Sequence, residues 1–117
     1  MAEQRGEVRV ADRVVERIVR TAVLQVDGVA PEGSTTGAIG SALGRTYPRV
    51  DCTVAGDHVR VSVEIETLWP ASAARVAGEV QDAVADQLER FAGLRADVVH
   101  VLVARVAPAA QELRRVQ

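Results

Sequence analysis

The sequence predicts an α+β fold: a two-layer domain in the order β-α-β-β-α-β, with two helices packed on one face of a small mixed sheet. Two segments repeat apolar residues at i, i+4, the spacing that puts them on one helix stripe. Three others alternate apolar and polar residues with the period of two that a strand requires. The chain is 117 residues long, 48% hydrophobic and 26% charged, enough for one core and too short for two full domains. Residues 1–107 read as the domain, residues 30–48 as a Gly-rich loop within it, and residues 108–117 as a C-terminal tail.

The first element is the short alternation Glu7-Val8-Arg9-Val10, read as a strand, with Asp12 as N-cap of the helix that follows. That helix carries Val14, Ile18, Ala22 and Val26, with Val15, Val19 and Val23 beside them, while Arg13, Glu16, Arg17 and Arg20 face water. Asp27-Gly28 ends it, because glycine takes the left-handed conformation that follows a helix. Val29 to Pro48 holds turn formers and small residues, and a connection of that length is typically functional or mobile.

A hairpin comes next. Val50, Cys52 and Val54 alternate with polar residues, Gly56-Asp57 makes the turn, and Val59, Val61, Val63 and Ile65 share a face opposite Arg60, Ser62, Glu64 and Glu66. Trp69-Pro70 stops the strand. A second helix runs from about Ser72 to Ala92 with the stripe Val76, Val80, Val84, Ala83, Leu88 and Phe91, and Gly93 closes it. The last strand, Ala96 to Val106, sets Val99, Val101 and Val103 on one face and Val98, His100, Leu102 and Ala104 on the other. With both faces mostly apolar, it reads as a central strand or as one whose outer face meets a partner.

Composition excludes several functions. The net charge of -2 and three aromatic residues in all, Tyr47, Trp69 and Phe91, do not make a nucleic-acid platform. Cys52 is the single cysteine, so no intramolecular disulfide forms. All 14 basic residues are arginine, which reads as coding bias in a GC-rich genome. Met1 to Val10 has charges with no apolar run behind them, and no stretch reaches 18 uncharged apolar residues. Secretion and membrane insertion are not expected, and a cytoplasmic location is.

Val80-Gln81-Asp82-Ala83-Val84, continuing through Leu88 to Gly93-Leu94 and Val99-His100-Val101-Leu102-Val103, resembles the C-terminal signature of the alkaline shock protein family, the Gls-type envelope stress response proteins. Gly6-Glu7-Val8-Arg9-Val10, the Val14 to Ala22 helix and Val26-Asp27-Gly28-Val29 resemble the family's opening strand, helix and glycine-valine stop. The resemblance implies a small non-enzymatic bacterial protein, of actinobacterial type by its arginine usage. It also implies envelope stress response and homeostasis, self-association, and attachment to the inner face of the membrane through a membrane-anchored partner. The Gly/Ser/Thr-rich loop, Trp69-Pro70 and the absence of a tail rich in lysine and glutamate depart from the family pattern.

Residue chemistry offers few alternatives. Gly33, Gly37, Gly40 and Gly44 lack the Gly-Lys-Ser/Thr ending of a phosphate loop and follow a helix instead of a strand. His58, His100, Cys52 and the acids show no metal-ligand spacing. Cys52 shares the apolar face with Val50 and Val54, away from both histidines, and reads as a structural cysteine. Glu64 and Glu66 share a side of one strand, and the plain reading is a solvated sheet face. Trp69 reads as a plug at the strand-helix corner, with an exposed partner contact as the alternative.

No catalytic, cofactor-binding or metal-binding residue is therefore assigned. The expected interaction residues are Arg60, Glu64 and Leu102 on the open sheet face, with Trp69. The expected partners are further copies of the chain and a membrane-anchored protein, with no nucleic acid. The alternative is a small-ligand-binding or enzymatic α+β domain using the Gly-rich loop.

Overall fold

The computed structural model describes residues 2–32 and 47–107. The order is α1 (Ala2–Gln25), β1 (Arg49–Ala55), β2 (His58–Leu68), α2 (Ala73–Ala92) and β3 (Arg95–Ala107). The strands form one mixed sheet with β2 in the centre, antiparallel to β1 and parallel to β3. Helix α1 lies over β1, α2 lies over β3, and the helices pack side by side on the same face. This is the predicted two-layer α+β domain.

The core is a valine layer between helices and sheet. Val15, Val19, Ala22 and Val23 of α1 and Val76, Val80, Val84 and Leu88 of α2 meet Val59, Val61, Val63 and Ile65 of β2, all of them buried. Each such valine, leucine or isoleucine contributes roughly 1.5–3 kcal/mol on burial, so the stripes are explained by folding alone. Helix α2 starts where Ser72 Oγ accepts the Arg75 backbone N–H at 3.3 Å, and ends at left-handed Gly93 (φ 63°), whose N–H reaches the Glu89 carbonyl. The segment after α1 pairs with the part of β2 that outruns β1. Val29 bridges Thr67, Ala30 N–H donates to Glu66 O at 2.8 Å, and Leu68 N–H donates to Gly28 O at 2.7 Å. Gly28 (φ 99°) is required there, because a Cβ would lie 2.7 Å from Val76 Cγ2.

Four expectations are corrected. Glu7–Val10 is about one turn of α1, in its second and third turns, not a strand, and Asp12 lies inside the helix rather than at its cap. Four alternating residues are too few to set a period when Glu3, Gln4, Arg5, Glu7 and Ala11 around them favour a helix. The α1 stripe centres on Val15, Val19 and Val23, which leaves Val14 51% exposed. Phe91, placed on the α2 stripe by sequence, is 65% exposed, since three residues beyond Leu88 it stands about 60° around the helix. Among the described strands β3 is an edge, not the centre. The 108–117 tail and all but the ends of the 30–48 loop lie outside the described residues.

Candidate interaction surface

The helices cover one sheet face only, so the other face displays every second side chain. The register sets them in rows: Thr53, Arg60 and Val98; Asp51, Ser62 and His100; Arg49, Glu64 and Leu102. The β1 side is polar, with Arg49 Nη1 3.9 Å from Glu64 Oε2. The β3 side is apolar, with Val98 47% and Leu102 50% exposed. Of the four residues chosen from sequence, the fold brings three to this face. Arg60 and Glu64 stand on β2 about 13 Å apart, and Leu102 is directly opposite Glu64. Trp69 is elsewhere. It follows the last residue of β2, its N–H bonds Ala107 O at 2.9 Å, and its ring is 57% exposed, so it does not plug the corner.

Two irregularities break the β2–β3 ladder, and each changes one side chain. Between Val59 and Arg60 on β2 the partner moves from Ala96 to Val98, leaving Asp97 as an extra residue. Asp97 Oδ1 accepts from His58 Nδ1 at 2.7 Å, and Asp57 Oδ1 lies 3.3 Å from His58 Nε2. The hydrogen bond and charge of Asp97 raise the His58 pKa above the ordinary histidine value, with Asp57 adding to it and Arg95 opposing. Beside this group is a cleft of about 410 Å³ lined by Asp57, His58, Glu89 and Arg95 among others. Nothing local in the sequence signals the His58–Asp97 pair, because parallel pairing joins residues 39 apart.

The second irregularity lies between Ile65 and Glu66, where the partner moves from Val103 to Arg105 and Ala104 becomes the extra residue. Glu66 is 2% exposed and Oε2 has no partner among the described residues. Burial raises its pKa, opposed by the charge of Arg105. Glu66 is thus not on a solvated face, and it does not form a matched carboxylate pair with the half-exposed Glu64. Thr67 beside it is fully buried, its Oγ1 likewise unpartnered among the described residues.

Cys52 is buried on the inner face as expected, and burial first, then the charges of Glu16, Asp51 and Asp12, push its thiol up to about 12. The thiolate that would act as nucleophile or ligand is therefore suppressed. Among the described residues no group of three or more histidine, cysteine or acidic side chains is arranged to hold a metal ion. None of the described helices is long and apolar enough to cross a membrane.

Comparison with known proteins gives the fold a setting. Among solved structures, the chain resembles several forms of MamM CTD. A triply substituted variant aligns with TM-score 0.54 and 16% identity over 83% of this chain and 94% of that one. A zinc form aligns with TM-score 0.55 and 15% identity over 83% and 85%. A manganese form aligns with TM-score 0.54 and 15% identity over 83% and 98%. At such identities the likeness is one of fold. The comparison with curated proteins gave no match. A family model of cell envelope-related function matches residues 1–108. The chain belongs to the alkaline shock protein 23 family, and its role is a non-enzymatic one in cell-envelope stress and homeostasis.

Proposed function

We propose that this protein is a protein-protein interaction module that self-assembles into a scaffold at the cytoplasmic side of the membrane, held there by a membrane-anchored partner. Residues 1–107 are its working domain and 108–117 its tail. The observation that carries the reading is the sheet face opposite the helices, which no other described element covers and where Val98 and Leu102 expose about half of their surface beside the charged pair Arg49 and Glu64. Apolar side chains on an otherwise polar face gain nothing for the monomer and contribute when a second surface covers them. Arg60 and Glu64 supply opposite charges on the same face, which fixes the orientation of whatever docks. Trp69 offers a further large apolar contact at the end of the β2–β3 pair.

Light scattering coupled to size exclusion, over a range of concentrations, tests this. Species heavier than the 12.5 kDa monomer are expected to grow with concentration. Arg60→Glu combined with Leu102→Asp should abolish them while the circular dichroism stays that of a folded domain. A monomer at every concentration, or assembly unaffected by the double variant, counts against the reading.

A further inference from the structure

We propose that β3 pairs antiparallel with β3 of a second copy, about a two-fold axis at Val101, joining two three-stranded sheets into one of six strands. The proposal rests on the self-association reading and names the contact that begins it. Among the described residues no strand pairs with the outer edge of β3, which at 13 residues is the longest strand. Such an edge offers a row of backbone donors and acceptors to another chain. One of its carbonyls, that of Val99, takes a hydrogen bond from Gln81 Nε2 of α2 at 3.1 Å, a donor that a neighbouring strand would replace.

The charges select the register. From Val98 to Val103 the side chains alternate between the open face and the helices, and if both copies keep their helices on one side, residues of the same face stand opposite each other. The symmetric registers are then centred on His100, Val101 or Leu102. Centring on His100 sets Arg95 against the partner's Arg105, a like-charge pair that opposes association. Centring on Leu102 leaves Asp97 opposite Ala107 and Arg105 opposite Val99. Centring on Val101 sets Asp97 against the partner's Arg105 at both ends, Val99 against Val103, and His100 against Leu102. Opposite charges thus bracket a valine-rich middle, each contributing twice by symmetry. The other edge strand has no such arrangement: β1 is seven residues long, and centring it on Cys52 opposes Asp51 to Thr53 and Arg49 to Ala55.

Two experiments on the full chain test the register. Asp97→Arg or Arg105→Asp alone should weaken the dimer at least tenfold by light scattering, and the two together should restore it. In a Cys52→Ala background, Val101→Cys should give a disulfide-linked dimer under mild oxidation. Val99→Cys and Val103→Cys should each stay unlinked alone and cross-link when mixed, because facing residues of an antiparallel pair lie about 4.5–5.5 Å apart at Cα, within reach of a disulfide. Assembly that persists through both charge reversals, or cross-linking of Val99→Cys with itself, overturns the register and leaves self-association standing. A chain that is monomeric throughout overturns both.

Discussion

The two edges of the sheet differ in a way that folding does not require. Strands β1 and β3 present similar inner faces, with Val50, Cys52 and Val54 on one and Val99, Val101 and Val103 on the other, all packed toward the helices. Outside, β1 shows Arg49, Asp51 and Thr53, whereas β3 shows Val98, His100 and Leu102. The first is an ordinary solvated edge. The second leaves Val98 and Leu102 about half exposed. It is this contrast that the proposed assembly uses.

The predictions probe that contrast, beginning with the largest effect on stability. Leu88→Ala, in the helix layer over β3, should lower stability by about 2–5 kcal/mol in a denaturant or thermal melt. Cys52→Ala, under the helix over β1, removes a single heavy atom and should cost about 1 kcal/mol. Equal losses would mean that the two halves of the core are not graded in this way. Gly28→Ala should cost more than about 1 kcal/mol, because the new methyl meets Val76 and the backbone there is left-handed.

The pH dependence should come from the two ends of the β2–β3 pair. His58 has a raised pKa in the folded state, so its contribution is complete below the ordinary histidine value and is lost as pH rises through the folded one. Asp97→Asn should flatten that loss in melts recorded from pH 5 to 9. Glu66 also has a raised pKa, so the folded state binds its proton more tightly, and stability falls as pH climbs from the ordinary carboxylate value to the folded one. Glu66→Gln should raise the melting temperature at neutral pH. The smallest effects on stability are the most telling for the comparison. Leu102→Gln and Thr53→Gln should each stay within about 0.5 kcal/mol of the parent, yet only the first should disturb assembly by light scattering.

Much of this was legible before the fold. The β2 alternation from Val59 to Ile65 and the α2 stripe with Ser72 and Gly93 at its ends are long, periodic and locally capped, so each level of the sequence agrees with the next. Arg60, Glu64 and Leu102 came out on one face because parity along a strand is a local property. What failed was tertiary. The alternation of Val8 and Val10 yielded to helix-forming neighbours, and the buried Glu66 could not be foreseen because the ladder slips between Ile65 and Glu66. Trp69 is exposed where its bulk alone indicated burial. The His58–Asp97 pair depends on the register of two strands joined through a helix, which no short window contains.

The Arg20 guanidinium has a consequence of another kind. One of its nitrogens, Nη1, donates to Glu32 Oε1 at 2.8 Å and to the Pro48 carbonyl at 2.9 Å, so a single side chain on α1 ties together the two places where the chain leaves the core and returns to it. Removing that one guanidinium frees both places from the helix at once, so Arg20→Ala should lower the melting temperature by more than Glu32→Ala, which leaves the bond to the Pro48 carbonyl in place.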